Sequence, residues 1–202
     1  MSSSPRLQGL KLLRFVGAPV PDWQVAEHLD DISCLRLPVA EFGWTIRACR
    51  RDGERERGLF YLNNADPDIV RQVLRHRFTS IVQNEFYIVY PSWKFRFSCN
   101  IVLRNQTYCV EGKYGSQKDL SVGKSMPDFG LLIPFAMLSQ MKCYVESPNE
   151  EVRSWLGRIL YWCKHIPRES FYTEVALTDK PALVFYELFV LQEKRPSSLF
   201  SS

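Results

Sequence analysis

The chain has 202 residues, of which 26 are Lys or Arg and 22 are Asp or Glu, giving a formal net charge of +4 at pH 7. Hydrophobic residues account for 46% and charged residues for 24%, a composition that excludes a disordered chain, a coiled coil and a collagen-like repeat. The length is that of one domain or little more. The positive surplus is too small to indicate a dedicated nucleic-acid-binding domain.

Cysteine usage and the apolar runs bear on the compartment of the protein. The six cysteines stand at wide, irregular intervals, without a Cys-x-x-Cys pair or a Cys/His cluster at zinc-ligand spacing. We expect reduced thiols that pack as small hydrophobic groups. The first residues lack the apolar stretch of a signal peptide, and the longest apolar runs are shorter than the roughly 20 residues that cross a bilayer. The sequence therefore predicts a cytoplasmic protein that does not contact a membrane.

The first half of the chain is predicted to mix helices and strands. Apolar residues at helical spacing end at Gly17, and two prolines favour an extended segment after it. An arginine-rich polar loop between two apolar runs indicates a hairpin, whose loop either closes over a ligand or is a solvated tip. The predicted elements are a helix over 6–16, an extended segment over 17–23, strands over 41–49 and 59–62 around the loop 50–58, and a helix from 64 to 78.

The second half is predicted to be richer in strands. The alternation that begins at Phe95 predicts an antiparallel pair, with Phe95 and Phe97 on one face of the first strand and Lys94 and Arg96 on the other. The predicted elements are strands over 80–90, 95–103 and 107–110, a polar loop over 112–130, an apolar segment over 131–144, a helix over 148–162, and strands over 171–177 and 182–191. This order predicts an α+β fold with antiparallel sheets and packed helices.

Three charged residues stand where a charge requires a partner. Glu174 and Glu187 fall roughly opposite each other on the last two predicted strands, and two carboxylates that face one space repel unless a cation lies between them. Glu187 has apolar neighbours, so it needs either a metal ion or an Arg or Lys partner. Arg47 stands among apolar residues of a predicted strand and needs an anionic partner there.

Four segments resemble motifs of the ATP-grasp fold, in which two small α+β lobes hold ATP between them. Residues 12–21 are similar to its helix and Gly-x-Pro-x-Pro opening, and residues 44–47 to a strand with a phosphate-binding cation. Residues 81–86 are similar to the strand that joins the lobes and pairs with adenine, and residues 171–188 to the final metal-binding hairpin. The resemblance extends over about residues 7–195.

The resemblance implies one ATP-grasp-like unit over 1–202, with an N-terminal lobe over 7–90, a C-terminal lobe over 91–195 and a disordered tail over 196–202. Its implied cofactors are ATP and Mg²⁺. Most ATP-grasp enzymes have Lys where this chain has Arg47, and some branches use Arg. The implied catalytic residues, which would hold phosphates, are Arg47 and Arg96. The implied nucleotide contacts are Arg47, Arg51, Gln83, Glu85, Phe86, Lys94 and Lys113, and the implied metal ligands are Glu174, Glu187 and Gln192.

For function, the resemblance implies an ATP-dependent carboxylate-amine ligase that activates a carboxylate as an acyl phosphate for attack by an amine. The substrate would be a small-molecule or peptide carboxylate, a protein partner is open, and nucleic acid is not an expected partner.

Two alternatives to the ligase stay open. The final motif usually reads Glu-x-Asn, and Phe189 stands in the place of the Asn after Glu187, as in a degenerate module that binds a nucleotide or a protein without turnover. In another register, residues 190–196 resemble the ATP-binding domain of phosphoenolpyruvate synthase and pyruvate phosphate dikinase. In that register Gln192 would hold magnesium in a dikinase-like phosphotransferase domain.

Overall fold

The computed structural model describes residues 4–53, 58–80, 84–115, 125–136, 138–180 and 182–191. The elements in chain order are α1 (Pro5–Phe15), β1 (Gln24–Ala26), a 3₁₀ turn (Leu29–Cys34), β2 (Trp44–Arg50), β3 (Tyr61–Ala65), α2 (Pro67–Thr79), β4 (Glu85–Pro91), β5 (Phe95–Arg104), β6 (Thr107–Tyr114), β7 (Phe129–Pro134), a second 3₁₀ turn (Leu138–Gln140), β8 (Lys142–Cys143), α3 (Glu150–His165), β9 (Phe171–Thr178) and β10 (Leu183–Val190). The predicted loop tip 54–57, Gln83, Gln192 and the predicted tail 196–202 lie outside the described residues.

Within these ranges, the first four strands form an antiparallel sheet in the order β1-β4-β2-β3. Alternate residues of β2, such as Ile46 and Ala48, are buried on one face together with Val70 and Leu74 of α2. The opposite face carries Cys49 and the β4 side chains Phe86 and Ile88, packed against α1. Both faces of this sheet are therefore covered, which explains why β4 reads as an almost continuous apolar run.

The remaining strands of the described ranges form a second antiparallel sheet in the order β10-β9-β5-β6-β7-β8. One face packs on the apolar stripe of α3, and the other carries the polar side chains of β5, β6 and β9. The two antiparallel sheets and their helices confirm the predicted α+β class. No helix in the described part of the chain is long and apolar enough to cross a bilayer.

Helix α1 lies between the two sheets and packs on both. Its first turn is capped by the Ser4 hydroxyl, which accepts a hydrogen bond from the Leu7 N–H at 3.2 Å. Leu13 is buried in the core of the six-stranded sheet, whereas Leu7 and Leu10 are buried against the four-stranded sheet. Gly9 allows α1 to approach β10 closely, because a Cβ at this position would stand 1.9 Å from the Leu188 carbonyl oxygen.

A β-bulge at Arg96 corrects the prediction that Phe95 and Phe97 share one face. Phe95 is paired with Thr178 and Phe97 with Leu177, so two steps along β5 match one step along β9. The extra residue turns Phe95 to the face opposite Phe97. Phe97 is fully buried in the core beneath α3, and Phe95 stacks on Tyr186 on the other side of the sheet.

Candidate active site

Glu174 and Glu187 lie directly opposite each other on β9 and β10. A β-bulge between Phe185 and Glu187 produces this pairing, because Phe185 still pairs with Val175 and Tyr186 is the additional residue. With regular pairing from Phe185 onward, Glu187 would fall on the other face of the sheet. The bulge therefore brings both carboxylates to the same face, the one that is turned away from α3.

Two arginines contact the Glu187 carboxylate, one at each oxygen. Arg47 of β2 places Nη2 2.8 Å from Oε2. Arg6 of α1 donates from Nε at 3.0 Å and from Nη2 at 2.8 Å to Oε1. Arg6 also donates from Nη1 to the Ala48 carbonyl oxygen at 2.9 Å. Glu187 is 2% exposed, so the buried carboxylate is compensated by two cations that come from different elements.

Arg47 reaches the site because of the period of β2. Ile46 and Ala48 face α2, so Arg47 faces the second sheet, where its guanidinium also lies 5.5 Å from the centre of the Tyr61 ring. Burial opposes the charged form, but the carboxylates of Glu187 and Glu174 and the Tyr90 phenol hold the pKa of Arg47 well above its usual value. Arg47 is therefore charged, and its positive charge points into the space between the sheets.

The pKa of Glu174 is subject to opposing effects, and the net shift is upward. Burial and the negative charge of Glu187 raise its pKa, and the charges of Arg47 and Arg6 act in the opposite direction. The Tyr172 hydroxyl lies 2.5 Å from Glu174 Oε1 and 3.2 Å from Asn100 Oδ1. The folded chain thus holds a second carboxylate beside Glu187 that is harder to ionise than an ordinary glutamate.

Neighbouring strands continue this polar row across the sheet. Asn100 of β5 pairs with Glu174, and Glu111 of β6 pairs with Asn100. Directly paired residues of antiparallel strands lie on the same face, so Glu187, Glu174, Asn100 and Glu111 form one line of oxygen-bearing side chains across four strands.

Aromatic rings fill the region where the chain passes from one sheet to the other, between β4 and β5. Tyr90 stacks on Trp93 with ring centres 5.7 Å apart, and Phe95 stacks on Tyr186 at 5.9 Å. Burial raises the pKa of Tyr90 to about 12, against the opposing charge of Arg47. Tyr90 and Tyr186 thus lie close to Arg47 and add aromatic surface beside the Arg47–Glu187 pair.

Two of the expected nucleotide contacts, Phe86 and Arg51, lie on the side of the four-stranded sheet that Arg47 occupies. Phe86 is fully buried on the side of the four-stranded sheet that Arg47 occupies. The Arg51 guanidinium lies 5.9 Å from the Phe86 ring centre and 3.8 Å from a carboxylate oxygen of Glu27, and it also donates a hydrogen bond to the Glu27 carbonyl. In this structure Arg51 is therefore paired with Glu27 and not with the two central glutamates.

Glu85 lies on the opposite face of β4. Because Arg47 pairs with Ile88, the odd-numbered residues Glu85 and Tyr87 face α2. The Glu85 carboxylate accepts hydrogen bonds from Arg77 Nη2 at 2.5 Å and from the Tyr87 hydroxyl at 2.9 Å. Strand β4 lies between β1 and β2, and where both flank it, its backbone is paired with β1 on one side and with β2 on the other.

The other expected cations are farther along the second sheet. Lys94 and Arg96 are exposed at the start of β5, and Arg96 Nη2 lies 2.5 Å from a carboxylate oxygen of Glu151 in α3. Lys113 Nζ lies 3.7 Å from an Asp128 carboxylate oxygen. Of the sequence-predicted residues, the structure thus brings Arg47, Glu174 and Glu187 together, while Gln83 and Gln192 fall outside the described residues.

Sequence reasoning missed Arg6. Its signal was nevertheless present, because Arg6, Leu10 and Leu13 follow the spacing of i, i+4 and i+7 that defines one face of a helix. An arginine on the buried stripe of α1 requires an acidic partner, and Glu187 is that partner.

The oxygen atoms of the site determine whether it could hold a magnesium ion. Glu174, Glu187 and the Asn100 amide offer oxygen ligands, which Mg²⁺ prefers, and Mg²⁺ commonly takes only one or two carboxylates together with water and phosphate oxygens. No group of three or more His, Cys, Asp or Glu side chains that could hold a metal occurs among the described residues. Arg47 contacts Glu187 Oε2, so this oxygen could bind an ion only if Arg47 turned to another anionic partner.

The comparisons with known proteins identify the fold. No protein-family description matches the sequence, and no curated protein is significantly similar to it. N5-carboxyaminoimidazole synthetase from Staphylococcus aureus is similar in structure, with a TM-score of 0.52, 11% identity, and coverage of 94% of this chain and 44% of that one. Carboxyaminoimidazole ribonucleotide synthase from Aspergillus clavatus, complexed with ATP, gives a TM-score of 0.53 at 8% identity, and covers 95% of this chain and 46% of that one.

The chain therefore shares the fold of these two proteins, which is an ATP-grasp-like fold. This confirms, at the level of the fold, the resemblance carried by the sequence motifs. The chain spans about half the length of the solved structures that it matches.

Proposed function

We propose that this chain binds Mg-ATP between its two sheets and is an ATP-dependent ligase that joins a carboxylate to an amine. The observation that carries the proposal is the meeting of Arg47 with the paired carboxylates Glu174 and Glu187 across the two sheets. A cation aimed from one sheet and a carboxylate pair on the other are the two components that bind a nucleotide triphosphate with its metal ion.

The residues take separate roles in this proposal. Glu174 and Glu187 would hold Mg²⁺, which supplies charge neutralisation between the phosphates. Arg47 would bind phosphate oxygens and stabilise the negative charge that is distributed over them during transfer. The γ-phosphoryl group passes to a substrate carboxylate, with ADP as the leaving group. An amine then attacks the acyl carbon, and inorganic phosphate leaves as the amide bond forms.

The residues at the rim have supporting roles. Lys113 lies on the same face of β6 as Glu111 and would add positive charge near the nucleotide, with Asp128 as its present partner. Arg51 would contact the nucleotide from the four-stranded sheet, with Glu27 as its present partner. Phe86 has no assigned contact, because its side chain is fully buried against α1. Glu85 and Arg96 have no assigned contact with the nucleotide, because in this structure they pair with Arg77 and with Glu151. Lys94 is exposed and likewise has no assigned contact.

A second candidate is a degenerate module that binds a nucleotide or a protein without turnover. The specific observation in its favour is that both oxygens of Glu187 are held by arginines, Oε1 by Arg6 and Oε2 by Arg47. Such a buried, fully paired carboxylate is able to serve the fold alone. The dikinase-like alternative depends on Gln192, which lies outside the described residues, and the site adds nothing in its favour.

Thermal unfolding with ATP, in the presence and absence of Mg²⁺, tests the proposal. We expect ATP with Mg²⁺ to raise the Tm, since a ligand that binds only the folded chain stabilises it. Incubation with a panel of carboxylates and amines should then release ADP and phosphate, whereas AMP with phosphate would indicate the dikinase-like route. Stabilisation without any product would favour the degenerate module. If no nucleotide changes the Tm, both the ligase and the dikinase-like phosphotransferase are excluded.

A matched pair of variants separates the site from general effects on the fold. Arg47→Met should abolish the ATP-dependent rise in Tm. Arg77→Met is the control, because Arg77 also pairs with a glutamate of low exposure, Glu85, but on the face of the four-stranded sheet that packs on α2. Equal losses of the ATP response in the two variants would remove the assigned role of Arg47.

A further inference from the structure

Arg6 is a second cation on the carboxylate that the proposed function assigns to the metal. Its side chain is buried, with 5% of the residue exposed, although it stands in the first turn of α1. It forms two hydrogen bonds to a single oxygen of Glu187, Oε1, and leaves Oε2 to Arg47. The two arginines therefore divide the carboxylate between them.

The two arginines differ in what else fixes them. Arg6 also donates a hydrogen bond from Nη1 to the Ala48 backbone carbonyl, so its guanidinium is attached to β2 as well as to β10. Arg6 lies on a helix that packs closely on β10 at Gly9, with Leu10 buried between α1 and the small sheet. This arrangement leaves Arg6 little freedom to move independently of the two strands.

Arg47 is more exposed to solvent than Arg6. Its guanidinium faces Tyr61, which is 43% exposed, and its side chain is 19% exposed, compared with 7% for that of Arg6. Of the two cations, Arg47 is thus the one that an anionic ligand reaches from solvent. If Arg47 turned to such a ligand, Oε2 of Glu187 would become available while Oε1 would keep its hydrogen bonds to Arg6.

We propose that Arg6 is a positioning residue, which fixes the Glu187 carboxylate through Oε1 so that Oε2 is presented to the divalent cation between the sheets. This inference rests on the proposed function, because it concerns the same carboxylate pair. Arg6 itself does not contact the nucleotide or the cation. It acts through Glu187, in the way that hydrogen-bonded partners of metal ligands set the orientation of those ligands.

Mn²⁺ in place of Mg²⁺ provides a readout that does not depend on turnover. The free Mn²⁺ concentration is measured by electron paramagnetic resonance, with the chain saturated by a non-hydrolysable ATP analogue. We expect Arg6→Met to weaken Mn²⁺ binding at least about tenfold, the size of effect found when a partner of a metal ligand is removed. The affinity for the analogue without metal should change by less than about twofold, because Arg6 lies behind Glu187.

Arg6→Lys and Arg77→Met complete the experiment. Lysine keeps the charge but not the two-nitrogen contact with Oε1, so it should restore part of the Mn²⁺ affinity. If Arg6→Met does not fold, Arg6→Lys alone should still weaken Mn²⁺ binding more than metal-free nucleotide binding. Arg77→Met removes another arginine–glutamate pair and should lower the Tm while Mn²⁺ affinity stays that of the unaltered chain.

The outcomes are separable. Unchanged Mn²⁺ affinity in folded Arg6→Met, with normal binding by the unaltered chain, would overturn the role of Arg6 and leave the proposed function intact. An equal loss of metal binding in Arg77→Met would assign the effect to general destabilisation and likewise overturn it. An unaltered chain that binds neither the nucleotide nor Mn²⁺ would remove the proposed function and, with it, the role of Arg6.

Discussion

Arg47 and Glu187 join the two sheets of the molecule through a 2.8 Å contact between Nη2 and Oε2. The guanidinium comes from the middle of a strand in one sheet and the carboxylate from an edge strand of the other. The pair therefore has two consequences: it contributes to how the sheets are held together, and it sets which charges a ligand meets between them.

The energetic coupling of this pair is the first prediction. Arg47→Met should lower the free energy of unfolding by about 3 kcal/mol, because a buried carboxylate loses one of its two cations. In a double-mutant cycle with Glu187→Met, measured by urea unfolding, the coupling should exceed about 1 kcal/mol. The control is Arg50–Asp52, a 2.6 Å pair with both side chains about one-third exposed, for which the coupling should stay below about 1 kcal/mol. Equal coupling in the two pairs would contradict this prediction.

Glu174 gives a prediction for pH. Its raised pKa means that, above the unfolded-state value of 4.5, the folded chain binds more protons than the unfolded chain, so stability falls as the pH rises through this window. Glu174→Gln removes this dependence and should be more stable than the unaltered chain at pH 7. The difference should disappear at about pH 3, where the carboxyl is protonated in both states. Urea unfolding at several pH values measures it, and a variant that is less stable at pH 7 would contradict the assignment.

The close contact of α1 with β10 predicts opposite effects for two glycine substitutions. Gly9→Ala places a Cβ against the Leu188 backbone and should destabilise the fold by about 3 kcal/mol, because α1 and β10 must separate. Gly157→Ala, in α3, meets no atom within 4 Å and should stabilise it by about 0.5–1 kcal/mol through helix propensity. Chemical denaturation of both variants checks the pair, and equal effects would show that α1 does not pack on β10 as described.

Thiol reactivity tests the packing of both sheets in the folded chain. Cys49, Cys99 and Cys163 are buried, and burial raises the pKa of the Cys99 and Cys163 thiols far above the usual range. Cys34 and Cys143 are exposed and should be alkylated first by iodoacetamide at pH 8, followed with peptide mass spectrometry. Modification of the three buried thiols should require denaturant. Their early labelling in the native chain would contradict the described cores.

The sequence pattern was informative where the alternation of residues along a strand is regular. The period of β2 already separates Arg47 from Ile46 and Ala48, and the position of Glu174 opposite Glu187 follows roughly from counting back from the hairpin turn. Both predictions depend on local geometry alone, which is why a single sequence contains them.

The other features of the fold and the site depend on β-bulges and on contacts between segments that are distant in the sequence. The bulge at Tyr186 determines the face of the sheet on which Glu187 lies, and the bulge at Arg96 determines the face on which Phe95 lies. Neither bulge can be recognised from the hydrophobic pattern of the sequence. The partner of Arg6 is 181 positions away, beyond the reach of any spacing rule. The placement of Glu85 required the pairing of β4 with β2, because register and not composition determines the face.

The position of α1 has a consequence for how the molecule is made. The helix that separates the two sheets is synthesised well before β10, the strand that contacts Gly9 and Arg6. Until β10 is available, Arg6 lacks its carboxylate, and the apolar side of α1 lacks part of its cover. Contacts of such long sequence separation form slowly, because a large loop must close before they stabilise the chain. The space between the sheets therefore takes its final form only after β10 has been synthesised and has docked against α1.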